Sequence, residues 1–229
     1  MKRLTSARIA GAAYLLYIAL ALPSELLLNR AMNVERTAGL AAKLARVAEH
    51  APDVRIAIVL ALVSCFAALV LAVTLYGITR EEDHELALLG LSCRVAEGIV
   101  GSVGVLTTAG ALAVATSLAG GRASDVGSWT AIGGMLLEVP RWSVPVSATF
   151  FAVGSTVFCY LLLRGRMVPI ALAWLGVFAS VLLVVLLPLR LSGYVDDPRM
   201  MLMWAPMGVF EVVLAVWFLA KGVRPPAPG

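Results

Sequence analysis

Charge is scarce in this chain: Lys, Arg, Asp and Glu make up only 14% of its 229 residues, and histidine occurs twice. With 61% hydrophobic residues and a mean hydropathy of +0.93, a soluble domain of this length lacks the polar surface to stay in water, which excludes the soluble classes. Cysteine is equally sparse. Cys65, Cys93 and Cys159 all sit inside apolar runs with no CxxC spacing, so they read as small buried hydrophobes and not as a disulfide framework or metal set. There is no HExxH, no GxSxG and no Walker-type glycine loop. The string Arg80-Glu81-Glu82-Asp83-His84-Glu85 collects carboxylates and an imidazole, but consecutive residues cannot all point at one ion, and it reads as a solvated turn. His50 stands alone before Ala51-Pro52 and reads as an exposed helix end. The sequence therefore predicts no metal and no cofactor, and any enzyme would have to use buried acids.

What the chain does have is long apolar runs. A helix needs on the order of 20 residues to cross a hydrocarbon core. Six stretches qualify, near Ile9–Leu28, Val54–Ile78, Leu86–Ala115, Val144–Leu163, Val168–Leu189 and Leu202–Ala220. The fold class expected is all-α, a polytopic membrane helix bundle with six transmembrane helices in a single domain over residues 1–229. The net charge of +4 does not point to nucleic acid, because the basic residues fall mainly at the ends of apolar runs, where they anchor helices at the interface. The expected partner is the lipid bilayer.

Lys2, Arg3 and Arg8 crowd the first run, which continues through Leu26-Leu27-Leu28 without an Ala-x-Ala site and so reads as a retained span and not a signal peptide. Arg164 and Arg166 crowd another short link. This density predicts a multi-pass protein of the cell (inner) membrane with both termini and the links Thr79–Glu85 and Arg164–Met167 in the cytoplasm, and with Asn29–Asp53, Thr116–Ser143 and Arg190–Met201 outside. Within the first outer connection, Leu40, Leu44, Val47 and Ala51 recur at helical spacing, as in an amphipathic surface helix or an extension of the second span. The second outer connection reads as a surface loop, in which Asp125 could cap a short helix through Leu137.

The third run carries a stripe. Gly90, Arg94, Glu97, Gly101, Gly104, Thr108, Ala111 and Ala115 are spaced three and four apart and share one helical face, while Val95, Ile99, Val103 and Leu106 occupy the other. A charged pair within an apolar span must face protein or water, and small residues beside it let another helix come close. At about 1.5 Å per residue, Glu97 lies roughly 17 Å from the inner edge of the core and Glu211 about 14 Å from the outer edge, so the two carboxylates share a depth. One cation, Arg94, would then serve two anions. Glu25 follows Pro23, which frees the carbonyl of Ala19 and bends the first span, so this acid either lines a cavity or reaches the outer headgroups.

Short motifs are spread along nearly the whole chain: Arg8-Ile9-Ala10-Gly11 with Tyr14-Leu15-Leu16, Ser24-Glu25-Leu26, Arg94-x-x-Glu97, Phe150-Phe151 with Tyr160-Leu161-Leu162, Pro169, and Glu211 followed by Trp217-Phe218-Leu219-Ala220-Lys221-Gly222. In order and spacing they resemble a bacterial multi-spanning membrane family catalogued only as a domain of unknown function, number forty-three eighty-six. The resemblance implies six spans with charged positions at Glu25, Arg94, Glu97 and Glu211, and it brings no established activity. The family pattern places a histidine after the paired aromatics, where this chain has Gly154, so a haem, metal or proton role at that position does not carry over.

Three functions follow from the buried charges. The first is a site at Arg94, Glu97, Glu211 and Glu25 that binds or moves a small polar molecule, ion or proton, with a homo-oligomer supplying further walls. The second is a structural or accessory membrane protein in which the same charges clamp helix register. The third is an intramembrane enzyme on a lipid-borne substrate with Glu97 as acid or base, for which no nucleophile accompanies the acid.

Overall fold

The computed structural model describes residues 3–32, 39–194 and 202–224. Lys2, which enters the charge pattern above, and parts of the two connections expected outside, residues 33–38 and 195–201, lie outside them. Among the described residues there are helices and no strands: α1 (Arg3–Met32), α2 (Leu40–Glu49), α3 (Ala51–Thr79), α4 (His84–Ala119), α5 (Val126–Arg164), α6 (Ile170–Leu191) and α7 (Ala205–Ala220). This is an all-α architecture compatible with a polytopic bundle, as expected. Five helices, α1, α3, α4, α5 and α6, are long and apolar enough to cross a membrane. The sixth expected span, near 202–220, contains α7, an apolar helix of 16 residues.

One sequence expectation changes, and one open alternative is resolved. The connection 116–143 is not a surface loop beyond Asp125: α5 starts at Val126 and runs unbroken through Pro140 and Pro145 to Arg164, 39 residues in all. Each proline removes one backbone donor, but a long apolar helix tolerates the loss where neighbours satisfy the freed carbonyls. Asp125 does cap it. Its backbone carbonyl accepts from Trp129 N–H and its carboxylate from Gly127 N–H at 3.0 Å and from the Ser128 hydroxyl, which together hold the carboxyl below the usual carboxylate range, the Ser128 hydroxyl most of all. The amphipathic stretch, in turn, is a separate helix, α2, broken from α3 at His50, its C-cap.

The chain divides into two compact units, and α1, α3, α4 and α5 each contribute a segment to both. The second unit comprises Ile18–Cys65 and Val100–Val144. Its core joins Ala31, Leu44, Val47, Val54, Leu112, Val114 and Ala115. Here the Gly133-Gly134 pair makes room for α2: a Cβ on Gly133 would come 2.8 Å from Leu44, and one on Gly134 would overlap Leu40. Ser24 of α1 donates to the Ala57 carbonyl of α3 at 2.9 Å, linking two helices with one buried hydroxyl.

The first unit comprises Met1–Tyr17, Phe66–Ile99 and Pro145–Gly229 and holds the larger core, including Leu71, Phe158, Leu162, Leu183, Phe210 and Phe218. Its helices meet where glycines remove side chains. A Cβ on Gly11 of α1 would lie 2.7 Å from the Ala215 carbonyl oxygen of α7, and one on Gly176 of α6 would lie 2.5 Å from the Phe210 ring. One end of this unit is tied by polar contacts: Arg3 pairs with Glu81 at 2.6 Å, Asp83 with Arg164 at 3.2 Å, and Arg224 N–H donates to the Met167 carbonyl at 3.0 Å. Asp83 also caps α4 by accepting from Leu86 N–H. Glu81 and Asp83 of the turn are thus engaged as ion-pair partners, and Asp83 also as a cap.

Candidate functional site

The site grows from the polar face of α4. Helical spacing puts Arg94 and Glu97 on one face, and Nη1 of Arg94 lies 2.8 Å from Oε2 of Glu97. The opposite face is open, with Ile99 and Leu106 among the most exposed hydrophobics, while Gly90, Thr108, Ala111 and Ala115 are buried. The expected two-sided pattern is therefore present in each part of α4, in the segment up to Ile99 that belongs to the first unit and in the segment from Val100 that belongs to the second. Its tightest approach differs from the small-residue spacing. A Cβ at Gly104 would make only an ordinary 3.5 Å contact with Ser143, whereas one at Gly90 would meet the Phe158 ring at 3.1 Å.

Arg94 is 4% exposed, buried by α5. Gly154 provides the room: a Cβ there would lie 3.2 Å from Cγ of Arg94, 3.1 Å from Cys93 and 3.2 Å from the Gly90 carbonyl oxygen. Gly154 thus seats the arginine stem. The guanidinium carbon lies 4.7 Å from the centroid of the Phe151 ring, a cation–π contact, and Phe151 in turn packs against Trp204 at 5.7 Å between centroids. Ser147 of α5 donates to the Glu97 backbone carbonyl at 2.9 Å, which fixes the register of α5 on α4.

The second acid comes from α7. Glu211 is 7% exposed and interacts electrostatically with both Arg94 and Glu97. Tyr14 of α1, 4% exposed, joins the same set through Glu211 and Arg94. The structure therefore brings together Arg94, Glu97 and Glu211 within the first unit. Glu25 lies in the second unit, with its side chain exposed; the inward residue of that turn is Ser24. Tyr14 and Phe151 belong to the cluster and went unassigned in the sequence reading. Both stood in the short motifs, but an aromatic in an apolar run carries no polar signal of its own.

The polar atoms are incompletely matched. Although Arg94 and Glu97 touch, the approach is not aligned as a hydrogen bond, and none of the three guanidinium nitrogens, nor Oε2 of Glu97 or Oε1 of Glu211, has a hydrogen-bond partner among the described residues. Beside them is a cavity of about 10 Å³, lined by Tyr14, Arg94, Ser155 and Cys159 among apolar side chains that include Phe158 and Phe210.

Five helices long and apolar enough to cross a membrane, with a cation and two carboxylates sequestered in the first unit, are compatible with a polytopic helical bundle. A family match is in agreement. Residues 9–222 match the domain of unknown function DUF4386, and the chain belongs to that family. No curated protein and no solved structure matches it.

Proposed function

We propose that this protein binds and moves a small polar species, in the first instance a proton, at Arg94, Glu97 and Glu211. The observation that carries this reading is charge balance: one buried carboxylate, Glu211, and one largely buried carboxylate, Glu97, interact with one guanidinium, which leaves one negative charge when all three are ionised. Buried among apolar side chains, an uncompensated charge is costly, and one proton or one monovalent cation removes it. The water-sized cavity beside Arg94 favours the proton over anything larger. The clamp reading is weaker, because the close ion pair is formed within α4 and by itself holds no second helix.

Infrared spectroscopy of the purified protein tests the proton directly. A carboxylic-acid C=O band, shifted in D2O and removed by Glu211→Gln or Glu97→Gln, is the expected result; the absence of any such band across the pH range would sink the proton reading and leave a bound cation as the neutralising species.

The surface fits lipid: Phe66, Leu106, Phe178 and Val209 expose more than half of their area. From the flanking charges, the end that carries Arg3, Glu81 and Arg166 is cytoplasmic. Cysteines placed at Glu81 or Arg166 would then react with an impermeant reagent only from the cytoplasmic side, and reaction from the outside alone would reverse the orientation.

A further inference from the structure

We infer that the cavity beside Arg94 is a binding site for one ordered water, which acts as a further member of the buried cluster by joining Arg94 of α4 to Tyr14 of α1. Three observations and the chemistry of a guanidinium carry this. The cavity measures about 10 Å³, the size that admits roughly one water and nothing larger. Its lining includes the polar residues Tyr14, Arg94 and Ser155, the composition that separates wet cavities from dry ones. Arg94 is 4% exposed, and Nε, Nη1 and Nη2 all lack a hydrogen-bond partner among the described residues. A guanidinium carries five N–H donors and no acceptor, so it needs an acceptor and not another donor.

Other occupants are excluded by the same facts. An anion would add to a cluster that already holds two carboxylates against one guanidinium, and a second cation would lie against Arg94. Water alone can accept from the guanidinium and also exchange a hydrogen bond with the Tyr14 hydroxyl while donating to Ser155 or to the Cys159 sulfur. The site spans three helices, since Tyr14 is on α1, Arg94 on α4 and Ser155 on α5. A bound water therefore connects elements that the intrahelical Arg94–Glu97 pair does not.

Radiolytic labelling in H2¹⁸O tests the site, because hydroxyl radicals made in place from a bound water oxidise the side chains that touch it. The experiment uses the full chain in detergent and compares Tyr14 and Phe158, which line the cavity, with Phe218, which is fully buried elsewhere in the same unit. Oxidation of Tyr14 or Phe158 at least tenfold faster than Phe218 is expected. Ser155→Thr keeps the hydroxyl and adds a methyl of about one water's volume, and should bring that rate down to the Phe218 level. Equal rates at Tyr14, Phe158 and Phe218 in the unmodified protein would overturn the inference, as would fast Tyr14 labelling that Ser155→Thr leaves unchanged. The result is independent of the infrared test: a wet cavity with no protonated carboxyl removes the proton reading alone, and a protonated carboxyl beside a dry cavity removes this one.

Discussion

Gly11 of α1 and Ala215 of α7 approach so closely that a Cβ on the glycine would lie 2.7 Å from the alanine carbonyl oxygen. The contacts run in opposite directions along the two helices, since Gly222 meets Leu4 while Gly11 meets Ala215 and Leu219, so the pair is antiparallel. Three residues on from Gly11 is Tyr14, and four residues back from Ala215 is Glu211, which places these two groups one turn along the same seam. A bare glycine thereby positions a buried acid.

Gly11→Leu should destabilise the protein by roughly 1–3 kcal/mol, because the obstacle is backbone and cannot swing aside. Gly154→Ala should cost somewhat less, since the contacts it would make, with Cys93, Arg94 Cγ and the Gly90 carbonyl oxygen, are at 3.1–3.2 Å and need a shift of only tenths of an ångström. Gly208→Ala on α7 is the control, because nothing lies within 4 Å of the added methyl. Thermal melts in detergent measure all three, and an unchanged melt for Gly11→Leu would mean that α1 and α7 do not pack this way.

Arg94→Ala should lose on the order of 3–5 kcal/mol, the usual cost of removing one partner of a buried charge pair. Arg94→Ala combined with Glu97→Gln removes one orphaned carboxylate and should recover part of that loss. If the cluster is a site and not a clamp, stability returns in the double variant while any cellular phenotype of the deletion stays unrescued. Strictly additive losses would show that the two side chains do not share a network.

Arg166 sits at the end of α5 with φ 49°, a left-handed conformation, while Met167 N–H bonds back to Leu162 and Arg166 N–H to Leu163. This is a Schellman-type ending, normally completed by glycine. Arg166→Gly should therefore stabilise the protein by about 1 kcal/mol, read as a rise in melting temperature, and a fall would mean that the arginine side chain contributes more than its backbone strain costs.

The cap at Asp125 makes the start of α5 pH-sensitive. Because its folded carboxyl titrates below the ordinary carboxylate value, the cap contributes fully above that ordinary value and is lost as pH falls through the folded one. Hydrogen exchange at Gly127 and Ser128, corrected for the intrinsic pH dependence, should show protection falling on acidification. Asp125→Asn should abolish this dependence and keep the cap, whereas Asp125→Ala should lose the protection at every pH.

What the sequence by itself determined is what helical periodicity and composition express locally. The apolar runs place this chain in a bilayer, and the spacing of Gly90, Arg94, Glu97 and Thr108 defines one face of α4, because residues three and four apart must lie together on any helix. The Asp125 cap was readable for the same reason, being a contact within one turn. The continuation of α5 through Pro140 and Pro145 was not, since proline is a strong breaker by local rules and only the surrounding structure sustains a helix across it. Nor could spacing choose among the acids. Equal depth suggested that Glu211 would join Arg94, but a carboxylate on another helix can point inward or outward at any depth, and Glu25 points outward while Ser24 beside it turns in. Tertiary structure decided that choice through the bare backbones at Gly11, Gly90, Gly154 and Gly176. In lipid, where hydrophobicity does not tell one apolar face from another, the close approach that small residues permit sets which helices meet and at what rotation. Arg94, Glu211 and Tyr14 face each other because those glycines bring their helices together.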